Sequence, residues 1–569
     1  MKNRASTHLL IILLIIAFEV VGYVAVFESA RLRGYEPSFV GAARDILLYV
    51  PLVGLLFWLS RVMRFKGSWA LYTTAVLLFS VGMLVQFRLY SDPEYGAGNK
   101  AQARAEKTQV QRVRYIQQNY DAEKKRLMGL EATAPQPDAA PQVTTRSEVS
   151  VGRALTSSFT WVPIFAFLAM GLAYHFCVQD KWLAWMQRHS FVIVLATLVP
   201  LAAAVFWSSA GKFLGDMTPW EPSKIPFLVG FAGILTAHYR ELARTYWGMP
   251  RARNVVPLLI MGMIPFIPFF ALKDFGQMLV FSGAYATLYL VAVRRWPQLL
   301  VFVGSLVVVV AILVVGALPR EVQEKVPTLA TMAAPVRAVL PDRIKQRFHL
   351  WLDGFNPPDP DVSWWKKEYD EALASNERMR RMAEESPAMQ RSVNVDVWFD
   401  RAAFQPAQAT FGIAAGGVTG RGLGLGFAEV IPVADSDYIY AAIGEEFGLF
   451  GGAVVFLALM VLVNAGVRTS IDSRDMFTKL CAAGLTAFIG FQALVNIGGT
   501  TRALPMTGIT LPFVSHGGFS LITSFAMLGM LLAFSHRNAA DAEGLPRRAG
   551  PRAVTRGEGQ HIRVPEAVQ

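Results

Sequence analysis

The sequence predicts an all-α polytopic membrane protein of about twelve transmembrane helices. Three observations predict it. The 569 residues are 53% hydrophobic and only 17% charged, at a mean hydropathy of +0.36, where soluble domains carry about 25% charged residues. Apolar stretches of about 20 residues, each long enough to span a bilayer, recur along the chain. The basic residues of the short loops fall almost entirely in alternate loops, the asymmetry that orients spanning helices.

The predicted spans lie at 8–28, 40–60, 68–90, 158–178, 190–209, 220–239, 254–272, 274–293, 297–318, 437–466, 476–498 and 517–535. The first follows a basic start, "MKNRASTHLLIILLIIAFEVVGYVAVF". Its apolar run is too long for a signal-peptide core and no small-residue cleavage site follows, so it reads as a retained helix. One set of loops holds Lys2, Arg4, Arg61, Arg64, Lys66, Lys181, Arg188, Arg240, Arg244, Arg251, Arg253, Arg294, Arg295, Arg468 and Arg474. The alternate set holds only Arg31, Arg33, Lys212, Lys273 and Arg502. The first set is therefore cytoplasmic, and so are both termini. The net charge of +12 follows from such loops and gives no reason to expect nucleic acid as a partner. Cys177 and Cys481 both fall in apolar stretches, which speaks against a disulfide framework or a thiolate metal site.

Two long polar segments, 91–157 and 320–435, lie on the outer side. Each contains a charged helical stretch, "KAQARAEKTQVQRVRYIQQNYDAEKKRL" and "WWKKEYDEALASNERMRRMAEE". Such helices are either solvated spacers or a docking surface for an extracytoplasmic partner. The basic tail 537–569 is expected to be disordered.

Candidate chemistry collects at the outer ends of the helices. In "FIPFFALKDFGQMLVFSGAY" (266–285), Lys273 and Asp274 interrupt about forty residues suited to lipid. The loop charges split that run into two helices and put the pair at the outer turn of a hairpin, which water can reach. The segment "MTPWEPSKIPFLV" (217–229) marks an irregular entry into a helix. In 412–452, six glycines from Gly416 to Gly426 form a loop whose N–H groups could bind anionic oxygens. Asp435 and Asp437 follow, Asp437 as a possible helix N-cap. Glu445 and Glu446 lie two turns into the next helix, either functional or paired with a buried cation that holds helices together. The last such segment is "NIGGTTRALPMTGITLPFVSHGGFS" (496–520).

In their order these segments resemble the SEDS family (shape, elongation, division and sporulation), typified by RodA and FtsW. The family's glycine-rich segment, its Thr-Asp-Phe-Ile-Phe and its Ile-Gly-Glu-Glu-x-Gly are matched by "GGVTGRGLG" and "SDYIYAAIGEEFG". Its Leu-Pro-Val-Thr-Gly-Ile-Pro-Leu-Pro-Phe-Val-Ser-Tyr-Gly-Gly is matched by "LPMTGITLPFVSHGG", its Gln-Pro-Ser-Glu loosely by "EPSK", and its Pro-Asp-Phe/Leu-Gly by "KDFG". "GMLVQFRLYSDPE" resembles the end of the family's first core helix, and "RIKQRFHLWLDGFNPPDP" the start and end of its large outer loop. The resemblance runs from about 68 to 536 and implies a ten-helix core. Residues 1–67 are then two extra N-terminal helices, 91–157 and 320–435 are outer insertions, and the large loop lies between the ninth and tenth helices.

The resemblance implies a peptidoglycan glycosyltransferase of the bacterial cytoplasmic membrane. It would polymerise lipid II on the outer face, in elongation or division, with a class B penicillin-binding protein as partner. The family's essential aspartate maps onto Asp274, expected as the general base. Lys273, Lys212, Arg421 and Arg502 are candidates for pyrophosphate contact. Asp437, Glu445, Glu446, Ser515 and His516 are further substrate-binding candidates from the matched motifs. A divalent cation, Mg or Mn, could neutralise the same charge, but no ligand set identifies one. The chain departs from the family at Lys273, Lys224, Val433, Asp435 and His516, and Lys224 and Asp435 could compensate each other across the cavity. A lipid II flippase or transporter, or an inactive scaffold for a penicillin-binding protein, are the competing readings.

Overall fold

The structure is a computed structural model that describes residues 2–33, 35–93, 95, 149–207, 220–243, 245–246, 249–250, 269, 274–293 and 342–544. Every expected span that falls among these residues is a helix. The spans at 254–272 and 297–318, most of 91–157, the first part of 320–435 and the tail from 545 lie outside them.

The N-terminal part comprises α1 (Lys2–Arg33), α2 (Phe39–Leu47), α3 (Tyr49–Phe57, continued by a π turn to Val62) and α4 (Trp69–Ser91). Then follow α5 (Val151–Thr156), α6 (Ser158–Cys177), α7 (Asp180–Arg188), α8 (Ser190–Trp207), α9 (Trp220–Ala243) and, after a two-residue antiparallel pairing at 245–250, α10 (Phe275–Val293). Five shorter helices come next: α11 (Asp342–Leu352), α12 (Ser363–Ser375), α13 (Glu377–Glu385), α14 (Pro387–Arg401) and α15 (Phe404–Gly416). The chain closes with α16 (Ile439–Asp472), α17 (Met476–Thr500) and α18 (Gly518–Ala542). Among the described residues, 8 helices are long and apolar enough to cross a membrane, or 9 if α7 and α8, bent by 74°, form one span. The helix expected at 220–239 is present as α9 but falls outside that group, because Glu221, Lys224 and its prolines lower its apolarity.

α4 is the pillar of the bundle. It is buried around almost its whole circumference, as a helix apolar on every face must be. α1, α16 and α18 pack against it, α6 runs along α18, and α17 contacts α9, α10 and α16. A Cβ at Gly82 of α4 would lie 2.2 Å from the Val514 carbonyl oxygen, so only glycine lets the 511–517 segment rest on this helix.

The two extra N-terminal helices are fastened to the core by polar groups. Glu19 of α1 is fully buried and accepts hydrogen bonds from Ser80 Oγ of α4 (2.8 Å) and from the Tyr23 and Tyr49 hydroxyls. In a lipid-soluble bundle such bonds hold helices together where apolar contact does not distinguish protein from lipid.

The described part of 320–435, expected as an outer insertion, is a small helical unit with its own core of Leu350, Trp365, Tyr369, Val393, Val397 and Trp398. The Trp365 indole donates to Asn394 Oδ1 (2.8 Å), and Asn394 Nδ2 donates to the Pro358 carbonyl (2.8 Å). The charged stretch divides into α12 and α13 where Asn376 caps the next helix by accepting the Arg378 and Met379 N–H groups. No residue of α13 is buried. Cys177 and Cys481 are both free and buried.

Candidate functional site

Asp274 caps α10. Its Oδ1 accepts the Gln277 N–H (3.2 Å), and its own N–H donates to the Phe269 carbonyl (3.0 Å). Gly276, one residue into the helix, packs against Thr507, where an added Cβ would come within 2.6 Å of the threonine side chain. That contact sets the start of α10 beside the 501–517 segment. From the outer unit, Arg347 of α11 reaches the same place and donates Nη1 to the Thr507 carbonyl (3.1 Å). Asp437 arrives from the chain leading into α16. A Cβ on Gly508 would lie 3.4 Å from Asp437 Oδ2 and 3.7 Å from Arg347 Nη2. Asp274, Asp437 and Arg347 thus converge from three distant parts of the sequence.

Burial pushes the Asp274 carboxyl above the usual aspartate range. The Gln277 amide and Arg347 oppose this, Glu221 adds to it, and Lys224 opposes it. Burial lifts Asp437 to about 6, with Asp435 and Asp274 adding to the rise and Arg347 opposing it. Beside them opens a cavity of about 280 Å³, bordered by Arg347, Trp351, Arg401, Asp437, Arg502 and Gly508 among others. Arg502 is held at its rim: Nη2 donates to the Leu350 carbonyl (3.0 Å), its guanidinium lies 4.5 Å from the Phe355 ring, and its own carbonyl accepts the Trp351 indole N–H (3.1 Å). Asp274 is not a lining residue. It neighbours two residues that do line it, Asp437 and Arg347. Carboxyls raised toward neutral pH beside fixed guanidinium groups can take a proton from a hydroxyl and stabilise a departing anion.

The glycine loop has a different task from the one expected. α16 is broken at Gly448, whose φ of 67° interrupts the helical ladder. The loop repairs the break. The Leu449 and Phe450 N–H groups donate to the Gly417 and Val418 carbonyls (2.9 and 3.1 Å), and the Glu445 and Glu446 carbonyls accept from the Arg421 and Gly422 N–H groups (2.9 and 3.0 Å). Close approach requires the glycines: a Cβ at Gly416 would lie 1.9 Å from the Gly444 oxygen. Backbone groups at membrane depth need such partners. These amides of the loop therefore serve the helix, not an anion, which corrects the anion-cradle reading.

Glu445 and Glu446 are likewise engaged inside the protein. Glu445 Oε1 accepts the Phe427 N–H and Glu446 Oε2 the Gly424 N–H, both at 2.7 Å. Glu446 Oε1 lies 3.0 Å from Arg88 Nε, and Arg88 Nη2 donates to Glu429 (2.7 Å). Arg33 of α1 completes the network, 2.9 Å from Glu429 and 3.5 Å from Asp92. Burial works against the Glu429 charge, but Arg88 and Arg33 outweigh it and hold this carboxyl below its usual range. Of the two readings of the glutamate pair, Glu446 fits the one that joins helices through a buried cation.

Asp437 does not cap α16. Tyr438 holds the cap position, with no side-chain bond, and the Asp437 carboxylate lies beside Gly508 instead. Lys224 and Asp435 do not compensate each other. Lys224 Nζ bonds both Glu221 oxygens and Gln492 Oε1 (2.8 Å each), while Asp435 accepts the Tyr90 and Tyr95 hydroxyls (2.6 and 2.8 Å). Ser515 donates to the Ser436 carbonyl (2.6 Å) and accepts the Leu511 N–H (2.8 Å). His516 stacks on Phe159 at 4.0 Å, and burial keeps its ring below the usual histidine range, with Asp435 opposing and Arg44 assisting. Both residues shape the segment and do not line the cavity. Arg421 is exposed, with Nε donating to the Ala415 carbonyl (3.3 Å). Lys212 and Lys273 lie outside the described residues. Among the described residues no three His, Cys, Asp or Glu side chains come together as a metal site.

The sequence did not single out Arg347 and Arg401. Arg347 lies in "RIKQRFHLWL", a stretch whose arginines were visible but whose position was not. Arg401 carries no local signal.

The cell cycle protein family of FtsW, RodA and SpoVE matches residues 389–540. The peptidoglycan glycosyltransferase RodA of Mycobacterium tuberculosis H37Rv is 27% identical over 384 residues, 64% of this chain and 68% of that one. The probable peptidoglycan glycosyltransferase FtsW of Geobacter metallireducens is 40% identical over 136 residues, 24% of this chain and 36% of that one. A chain of a solved peptidoglycan synthase complex is 20% identical and covers 67% of this chain and 90% of its own length, at a TM-score of 0.44. The matched motifs stand in order on an all-helical bundle, and over these stretches the chain is similar to the FtsW, RodA and SpoVE proteins.

Proposed function

We propose that the chain is a peptidoglycan glycosyltransferase that extends glycan strands from lipid II on the outer face of the bacterial cytoplasmic membrane, with both termini inside. The observation that carries this reading is the convergence of a raised carboxyl, Asp274, with Asp437 and Arg347 beside an arginine-bordered cavity. Asp274 takes the proton of the acceptor 4-hydroxyl as that oxygen bonds to C1 of the growing chain. The bond from C1 to the undecaprenyl pyrophosphate breaks, and the leaving group carries off the electron pair. Arg347, Arg401 and Arg502 stabilise the charge that develops on it. Arg347 opposes the rise of both Asp274 and Asp437. No step is routed through a metal ion. A class B penicillin-binding protein is the partner, and the outer helical unit offers it the exposed face of α13.

The test is polymerisation of lipid II by the purified full chain with its partner. Asp274→Ala should lower the rate by at least about a hundredfold, the range for loss of a general base, with binding of the partner unchanged. Wild-type rates from the variant would sink the assignment. A wild-type protein that moves lipid II across vesicles without extending chains would favour the transporter reading. Complementation of a deletion by Asp274→Ala would favour the scaffold.

A further inference from the structure

The 501–517 segment, which carries Gly508, has no regular secondary structure, so its buried carbonyls need donors from side chains. Between Thr507 and Thr510 three side chains supply them. Arg347 donates to the Thr507 carbonyl (3.1 Å), Asn496 Nδ2 to the Ile509 carbonyl (2.6 Å) and Gln492 Nε2 to the Thr510 carbonyl (3.0 Å). Gln492 and Asn496 stand one turn apart on α17, both deeply buried. Gln492 turns its oxygen to Lys224. Asn496 makes a second bond toward the site: its Nδ2 also donates to the Asp437 main-chain carbonyl (2.8 Å). Both of its acceptors are carbonyls, so the amide must present its NH2 group to them, and both N–H groups are used. The carbonyls just before, at Asp435 and Ser436, are bound by the His516 N–H (2.8 Å) and the Ser515 hydroxyl (2.6 Å). Asn496 thus supplies the anchor at Asp437 itself.

We propose that Asn496 is a positioning residue of the glycosyl-transfer site, whose amide sets where Asp437 stands against Gly508 and Arg347. The role rests on the reading of this site as a glycosyl-transfer centre. One amide group joins two pieces of chain that are far apart in sequence. On one side it holds Asp437, where the chain enters α16. On the other it holds Ile509, the neighbour of the Gly508 against which the Asp437 carboxylate rests. Thr507, the other neighbour of Gly508, holds Arg347. The carboxylate and the guanidinium are therefore referred to the same short stretch of backbone, and Asn496 ties Asp437 to it. Asn496 does not line the cavity and acts through Asp437, which does. The chemistry of the position is narrow: aspartate would turn oxygens on two carbonyls, leucine would offer no donor, and serine only one.

The test is a double-mutant cycle in lipid II polymerisation by the full chain with its partner. Asn496→Leu keeps the volume and removes both donors. It should lower kcat by about ten- to a hundredfold, the range for a small misplacement at a reacting centre, with KM far less affected. In an Asp437→Ala background the same substitution should cost little more, because the group it places is gone. A merely structural role would cost the same in both backgrounds. Equal losses in the two backgrounds, or an unchanged kcat in Asn496→Leu, would overturn the proposal. Asn496→Ser, with one donor, should fall between the wild type and Asn496→Leu, and it takes the place of Asn496→Leu if that variant does not fold. A second readout needs no turnover. Cys177 and Cys481 are buried, so maleimide labelling of Asp437→Cys in micelles reports on position 437. Labelling should be several-fold faster when Asn496→Leu or Asn496→Ser is added, and equal rates would overturn the proposal. A wild type that does not extend lipid II, with labelling rates that still differ in this way, would sink the glycosyl-transfer reading while supporting the brace at Asp437.

Discussion

Replacing Arg88 by methionine removes the one cation that joins α4 to both the glycine loop and α16. The side chain is fully buried, with Glu429 at 2.7 Å, Glu446 at 3.0 Å and Asp92 at 3.4 Å. Methionine fills similar volume, so the effect is mainly electrostatic. Removing one partner of a buried ion pair costs about 3–5 kcal/mol. Arg33 softens that loss for Glu429 and Asp92, since it lies 2.9 and 3.5 Å from them. Among the described residues Glu446 has no second cation in contact, and it then keeps its hydrogen bond from the Gly424 N–H. Most of the cost therefore falls on Glu446. Adding Glu446→Gln to Arg88→Met should restore part of the loss, a coupling of about 1–3 kcal/mol. Reversible unfolding in mixed micelles, followed by tryptophan fluorescence, gives the four corners of the cycle. A loss below about 1 kcal/mol for Arg88→Met, or strict additivity of the two substitutions, would refute the account of this network.

Two further predictions follow from the same geometry. Burial lifts Asp437 from 3.8 to about 6, so the native state holds that proton more tightly than the unfolded chain, and the associated stability is complete below about pH 3.8 and lost as pH rises through about 6. Asp437→Asn should therefore be the more stable protein above pH 6, with the gap closing toward pH 4; thermal unfolding across this range checks it, and a gap that widens on acidification would contradict the assignment. Trp398 is fully buried in the outer helical unit, and Trp398→Ala should cost about 3–5 kcal/mol there. Limited proteolysis should then cut faster between α11 and α15, while cleavage rates within α16–α18 stay as in the wild type.

Much of the architecture was legible because a bilayer imposes a one-dimensional rule. An apolar run of sufficient length must become a helix, and α1, α4, α6, α10, α16, α17 and α18 each lie where such a run stands. The same rule made Asp274 conspicuous as a charge at the outer end of a hairpin. The sequence also presented the Glu445–Glu446 pair with both of its readings. Tertiary structure decided what the sequence left open, because partnership depends on distances across the chain. Arg88 and Glu446 are 358 positions apart by their numbers and 3.0 Å apart in space. The glycine run read as a loop whose N–H groups could bind an anion, and the positive φ of Gly448 turned it to another use, since a broken ladder leaves backbone groups that need partners at membrane depth. Arg347, in a stretch whose arginines were visible but whose place was not, entered the site because α11 folds back over the 501–517 segment and its guanidinium finds the Thr507 carbonyl. The sequence by itself determined which segments are long and apolar enough to cross a membrane and set Asp274 apart at the end of one of them. Only the folded chain decided which charges meet there, because burial and proximity, unlike apolar length, are properties of the whole arrangement.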